Sequence, residues 1–549
     1  MATLAQQTPA AVAEAPRHGP HLDKELHPAG KWVFLAVLIA GIAYAGVSIL
    51  SETQQVGESL AIGAFLFLGL ALLIALGFEF VNGFHDTANA VATVIYTHSL
   101  PAPVAVVWSG VWNFIGVVIS GGAVAYSIIT LLPVDLILHV GSAAGYAMIF
   151  GLLLAAVIWN LATWFVGIPN SSSHALIGSI LGVGLANQLI NGGSGTSGVD
   201  WGQAEKVLAA LLFSPLVGFV GALVLLFVMK RVLRDRKLYE EPESQQPPPK
   251  GIRALLIFTC TAVSFAHGSN DGQKGMGLIM LILIGVAPTA YALNRTVSDA
   301  QTPAFVQASN QAARGFVAMG GQPGASMDQA RATLTQALRA KKATTPEVYG
   351  AAATLSSDIG KRVRQYGSIR QVPAAATPNL RNDMYLVLDT ATLITKDEDA
   401  VRALPAPAVS AVKGYEKKLE EGTRYIPTWV KIAVAIALGL GTMVGWKRIV
   451  VTVGEKIGKI HLTYGMGAAA ELTAASTILL AVLYGMPVST THILSSGVAG
   501  ASVANGAGLQ RRTVLAIVSA WVLTLPVAML LAGLLYWLLL AIVRAMGLN

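Results

Sequence analysis

A single cysteine, Cys260, stands in the whole chain. No intrachain disulfide can form, and no thiol-based metal site can be assembled. Charge is scarce as well: 12% of residues carry it against 54% hydrophobic, and mean hydropathy is +0.61, far more apolar than a soluble domain. Such a chain belongs in a membrane. The formal net charge of +8 is small for 549 residues, and the basic residues gather at the ends of apolar runs, which fits a bilayer surface rather than nucleic acid. No Gly-x-x-x-x-Gly-Lys-Ser/Thr loop is present, which argues against ATP-driven pumping by this chain alone.

What the chain does have is long apolar runs. After a polar tail over 1–31, the run from Trp32 to Leu50 is too long for a signal-peptide core and reads as a retained helix, so that 32–57 is a first membrane helix with its loop. Runs near 58–80, 104–132, 145–166, 204–229, 428–445, 465–485 and 513–543 are each long enough to cross roughly 30 Å of hydrocarbon. Shorter runs at 83–97, 171–187, 254–267, 272–288 and 489–505 accompany polar motifs and predict broken helices or re-entrant hairpins. The expected fold class is all-α: a polytopic membrane protein with two internal repeats, the first over 58–229 and the second over 254–289 and 428–549. A Pro-rich linker at 230–253, holding Lys230, Arg231, Arg234, Arg236, Lys237, Lys250 and Arg253, divides them, and the positive-inside rule places it in the cytoplasm. The polar, Ala-rich stretch 290–427 predicts a small helical extramembrane insert, on the periplasmic side if 254–288 and 428–445 each count as one span.

Two polar motifs are written twice. Phe80-Val81-Asn82-Gly83-Phe84-His85-Asp86 returns as Phe265-Ala266-His267-Gly268-Ser269-Asn270-Asp271. Gly167-Ile168-Pro169-Asn170-Ser171-Ser172-Ser173-His174 returns as Gly485-Met486-Pro487-Val488-Ser489-Thr490-Thr491-His492. Each half carries one copy of each. Carboxylates and clustered hydroxyls are costly in hydrocarbon, so their duplication points to a transporter's binding site at the middle of the bilayer.

Asp86 and Asp271 occupy equivalent places, and a helix is expected to restart just beyond each. An acid in hydrocarbon needs a cation, a proton or a ring of donors, which makes the pair a site for a coupling ion. The plainer alternative is that each caps the helix that follows. Ser171, Ser172 and Ser173, with Ser489, Thr490 and Thr491, precede small-residue helices whose unsatisfied N–H groups and positive dipole ends suit one tetrahedral oxyanion. Here too the alternative is local capping. Glu471 is a further intramembrane acid, with Leu153 at the matching place of the first half. Glu79 precedes the first motif by one turn and is read first as structural. Asn113, Asn160, Trp159 and Trp164 are assigned to helix packing or the interface.

Gly83 to Asn89 and Gly268 to Lys274, with the two Pro-x-Ser-x-x-His segments, resemble the paired signatures of the PiT inorganic phosphate transporters, over nearly all of the membrane portion. The run Gly83 to Thr97 and the 290–427 insert are most similar to the bacterial low-affinity branch. The resemblance implies two inverted repeats, inorganic phosphate held between the paired motifs, and ion-driven uptake across a bacterial inner membrane. It also implies a transporter and not an enzyme, with no cofactor. On this basis phosphate is expected at Ser171, Ser172, Ser173, Ser489, Thr490, Thr491, Asn89 and Asn270, and the coupling ion or proton at Asp86, Asp271, His85, Lys274 and Glu471. No resident metal is expected.

Two positions depart from the family pattern: His85 and Lys274 stand where asparagine is usual. Both add a titratable group, and a fixed ammonium beside Asp271 favours protons over sodium as the coupled ion. Glu471, which resembles an acid of the sodium-coupled members, pulls the other way. Phosphate as a divalent-metal complex, sulfate as the substrate and a membrane phosphohydrolase are the competing readings. The lipid bilayer is an expected partner, nucleic acid is not, and a homo-oligomer stays open.

Overall fold

The computed structural model describes residues 20, 22, 28–58, 62–129, 131, 142–190, 199, 201–242 and 246–546, the side chains of 87–89 and 143 excepted. The membrane helices of the first part are α1 (Pro28–Gln55), α2 (Ile62–Tyr96), α3 (Ala102–Ile119), α4 (Ala123–Ile129), α5 (Ala143–Val166), α6 (Ser172–Ile190) and α7 (Trp201–Val232). After the basic linker come α8 (Lys250–Val286) and the short α9 (Pro288–Tyr291). The insert follows as α10 (Thr302–Ala318), α11 (Met327–Ala340), α12 (Pro346–Gln365), α13 (Thr377–Lys396), α14 (Glu398–Ala403) and α15 (Ala406–Thr423). The chain then re-enters through α16 (Thr428–Thr442), α17 (Lys447–Val451), α18 (Tyr464–Leu483), α19 (Thr490–Ala504) and α20 (Arg511–Ala545). Among the described residues, nine helices are long and apolar enough to cross a bilayer, and the bent pair α15–α16, at 69°, is a tenth candidate. This is an all-helical, multi-pass membrane protein.

Breaks occur in one motif pair and not in the other. The second pair behaves as its sequence suggests: Gly167 and Gly485 take left-handed φ values of 76° and 63°, and α6 and α19 begin only after the Pro-containing turns. The first pair does not interrupt its helices. The runs 58–80 and 83–97 join as α2, and 254–267 and 272–288 join as α8, so Asp86 and Asp271 lie in mid-helix and cap nothing. A polar side chain does not of itself break a helix. Its backbone bonds are kept within the segment, and only the side chain has to find a partner across the interface. The run 104–132 is the one that divides, at Ser120–Gly122, where Gly122 has φ 158°.

Close helix approach is achieved with glycine. A Cβ on Gly83 would overlap the Leu438 carbonyl oxygen, and one on Gly441 that of Phe80, so α2 and α16 cross backbone to backbone. The same arrangement recurs between α3 and α8: Gly268 lies against the Asn113 carbonyl and Gly116 against that of Phe265. The other large packings come in matching pairs too, α7 against α19 and α20 against α6. Counterpart helices α2 and α8 run antiparallel. Phe78 of α2 and Met276 of α8 share one apolar cluster, while Ala90 and Ala266 share another. The polar motif residues fall between these two layers.

The insert has its own core, built on Phe316, Leu334, Leu355, Leu380 and Tyr415. Arg331 makes a bidentate pair with the buried Asp383, to which Arg362 also donates. Arg295 anchors the insert's entrance by donating to the carbonyls of Thr289, Arg370 and Val372 at 2.9, 2.7 and 3.1 Å.

Candidate functional site

On α2, Glu79, Asn82 and Asp86 recur at helical spacing on one face, and on α8 His267, Asp271 and Lys274 do the same. All six are buried. Where the two faces meet, one carboxylate oxygen of Asp86, one of Asp271 and one ring nitrogen of His267 lie within 4.8 Å of one another. Three such donors can share a small cation. Among the described residues no other group of three or more His, Cys, Asp or Glu converges in this way.

Hydroxyls from both halves close over these acids. Asp86 accepts from Ser172 Oγ at 2.7 Å and from Thr491 Oγ1 at 2.6 Å, so its partners come from α6 and α19 together. Asp271 accepts from Lys274 Nζ at 2.6 Å and from Thr490 Oγ1 at 3.5 Å, with His267 Nε2 3.5 Å away. Lys274 Nζ also donates to Ser173 Oγ, and Ser173 Oγ donates onward to the Val488 carbonyl at 2.9 Å. Residues from all four motif segments thus gather into one polar cluster, two hydrogen-bonded networks that meet where Asp86, Asp271 and His267 approach one another.

The hydroxyl set divides by role. Ser171 Oγ accepts from His174 N, and Ser489 Oγ from His492 N, each at 3.1 Å, so the first hydroxyl of each triplet caps its helix. Ser172, Ser173, Thr490 and Thr491 point instead at the charged cluster. The capping alternative therefore holds for one residue in each triplet.

The other expected residues are distributed less evenly. His85 Nδ1 lies 3.3 Å from Asp86 Oδ1, with Nε2 3.3 Å from Thr163 Oγ1. Asn270 Nδ2 donates to the Met486 carbonyl at 3.2 Å, while its buried Oδ1 has no partner among the described residues. The Asn89 side chain lies outside the described residues. Glu471 is not part of the cluster: it accepts from Thr259 at 2.5 Å and lies beside Thr93. Thr259 stands about 18 Å along the α8 axis from Asp271 at ~1.5 Å per residue.

Four contributors, His267, His174, His492 and Trp521, are not among those the sequence assigns. His267 is held by Asn113 Oδ1 at 2.6 Å from Nδ1, which directs Nε2 at Asp271; its spacing to Asp271 on one helix face was the available signal. His174 and His492 stack with ring centroids 4.4 Å apart, and Trp521 of α20 covers His492 at 4.1 Å. Asn160 and Trp159 serve packing as expected. Asn170 Nδ2 donates to Asn160 Oδ1, and Thr524 ties Asn170 and Trp159 to α20.

The model of the phosphate transporter family, PHO4, matches residues 82–532, a stretch that contains all four motif segments almost entirely. This chain belongs to that family. Among relatives, the low-affinity inorganic phosphate transporter PitB of Escherichia coli (strain K12) is 41% identical over 518 residues, covering 88% of this chain and 100% of that protein. PitA of the same organism is 42% identical, covering 87% and 98%. A probable low-affinity inorganic phosphate transporter of Bacillus subtilis (strain 168) is 27% identical over 471 residues, covering 86% and 96%. A solved structure described as the sodium-dependent phosphate transporter aligns with a TM-score of 0.47 at 18% identity, over 86% of this chain and 99% of its own. Asp86, His267, Asn270, Asp271, Lys274, Ser172, Thr490 and Thr491 all lie inside the matched stretch.

Proposed function

We propose that this protein is a secondary active transporter that takes up inorganic phosphate together with a cation, with protons as the coupled ion. The observation that carries the reading is the joint ownership of Asp86 by Ser172 and Thr491, one hydroxyl from each half. Those hydroxyls can turn to an incoming oxyanion only if the carboxylate they leave is compensated. A buried carboxylate stripped of its donors is costly unless a cation or proton replaces them. Anion and cation are then obliged to bind together, which is the condition for symport.

Protons are favoured by Lys274. Its ammonium, 2.6 Å from Asp271, already stands where a metal cation would pair with that acid. His85 and Glu471 are further proton or ion sites in this reading, and Asn270 is a phosphate donor. The antiparallel course of α2 and α8 and the matched helix pairings support two repeats of opposite orientation that rock or gate around the cluster.

Reconstituted protein decides the matter. Labelled phosphate should accumulate in proteoliposomes under an inward proton gradient, with or without magnesium, and excess sulfate should not displace it. Accumulation under a sodium gradient alone would overturn the choice of ion. Preferential uptake of sulfate would overturn the substrate, and release of phosphate from esters without accumulation would replace transport by hydrolysis.

A further inference from the structure

We infer that Glu79 is the residue that carries the coupled proton, a role that rests on the phosphate-transport reading above and makes it specific. Glu79 lies in α2 at 0% exposure. Its carboxyl group sits over Gly275 of α8, close enough that a Cβ at 275 would collide with it. Among the described residues only Asn82 Nδ2 approaches, at 3.5 Å from Oε2, and Oε1 has no partner. An ionised carboxylate with one orphaned oxygen and one long hydrogen bond is far more costly in a dry interior than the neutral acid in the same place. The buried arrangement therefore holds Glu79 as the acid, with a proton aboard.

The surroundings give that proton a connection to the substrate site. Asn82, the neighbour of Glu79, accepts from Ser172 Oγ at 2.8 Å, and Ser172 is the donor that also serves Asp86. Glu79 is thus two residues removed from the hydroxyl that the proposed anion would recruit. The charged groups whose fields reach Glu79 are Asp271 and Lys274 on α8 and Asp86 on its own helix. Of the other helices packed on α2, α3 and α5 contain no charged residue. α6 brings His174 and α19 His492, which stack on one another. α16 brings Lys431 bound to the Ser120 carbonyl, α17 brings Lys447 and Arg448, and the turn 452–456 brings Lys456 and Glu455, the latter bound to Tyr96 at the far end of α2. α18 approaches through Gly467 at Thr93, toward the Glu471 end.

Symmetry isolates the role. In the alignment of Phe80 with Phe265, the counterpart of Glu79 is Ser264, which bonds Ser109 Oγ at 2.7 Å as a neutral, satisfied pair. A packing position needs no acid, as the second half demonstrates. Asp86 and Asp271 are held by several donors each, whereas Glu79 is nearly bare. With so few partners of its own, Glu79 is held as the acid by burial, and opening of the site to water would be what lets the proton go.

The test separates coupling from binding. In proteoliposomes preloaded with phosphate, E79Q should exchange external labelled phosphate within about twofold of wild type, while accumulation driven by a proton gradient falls at least about tenfold. E79D, which keeps the acid, should retain accumulation. Wild-type accumulation by E79Q, or joint loss of exchange and accumulation in a folded E79Q protein, overturns the inference; the second result would make Glu79 a positioning residue for phosphate. Absence of both activities in the wild type would sink the transport reading itself. Should E79Q fail to assemble, wild-type protein treated with a hydrophobic carbodiimide takes its place. Modification at Glu79 that abolishes accumulation and spares exchange supports the role, and modification without effect overturns it.

Discussion

Thr491 and Asp86 come from opposite halves of the chain, and Thr491 Oγ1 donates to Asp86 Oδ1 across 2.6 Å. The bond ties the start of α19 to the middle of α2, with Ser172 of α6 completing the grip at 2.7 Å. Whatever moves one half relative to the other must break or remake this junction.

Asp86→Asn should keep the protein in the membrane and sharply lower uptake. Hydrogen bonds to a charged group contribute ~1.5–3 kcal/mol, equivalent to a roughly 10- to 150-fold loss in phosphate kcat/KM. Initial rates of labelled uptake, normalised to protein in the membrane, measure it. Uptake within a factor of two of wild type would show that the charge of Asp86 is dispensable.

Lys274 and Asp271 are both fully buried and pair at 2.6 Å. Removing one partner of a buried pair costs about 3–5 kcal/mol because the other charge is left uncompensated. Lys274→Met should therefore lower the unfolding temperature of the detergent-solubilised protein sharply. Lys274→Met combined with Asp271→Asn should recover most of that loss without recovering transport. Equal stability of the single and double variants would contradict the pairing.

The two hydroxyl roles can be told apart by substitution. Ser489→Ala deletes a helix cap and should cost about 1 kcal/mol of stability with phosphate KM little changed. Thr491→Ala deletes a donor to the buried Asp86 carboxylate, so it should raise KM in addition to costing stability. Reversal of the pattern between the two variants would mean that the hydroxyls have been assigned the wrong way round.

Gly83→Ala and Gly116→Ala each place a methyl group against a backbone carbonyl of a neighbouring helix, Leu438 and Phe265 respectively. Neither neighbour can yield without moving a helix. Both variants should give poorly assembled protein, seen as aggregation in size-exclusion chromatography, whereas Gly46→Ala, which meets nothing within 4 Å, should behave as wild type.

Much of this was legible in the chain. The apolar runs located the membrane helices, and the duplicated motifs named Asp86, Asp271, Lys274 and the hydroxyl triplets that the structure gathers into one cluster. The breaks were misplaced at Asp86 and Asp271, because a polar residue in an apolar run looks the same whether the helix ends there or continues through it. Its intramembrane setting and the family resemblance group Glu471 with Asp86 and Asp271, yet α18 carries it to Thr259. His267 and Asn82 were written inside the motifs, but their work depends on which residues of another helix they face.

The sequence by itself determined the membrane setting, the helical class and the inventory of polar groups, because hydrocarbon imposes the same cost on each residue wherever its helix is placed. The tertiary structure alone decided the partnerships: that Ser489 caps while Thr491 holds Asp86, and that Lys274 is matched whereas Glu79 is left nearly bare. Those outcomes depend on how far helices are turned and how closely they approach, which the crossings at Gly83 and Gly268 set between segments remote in the chain, and local periodicity has no access to that distance.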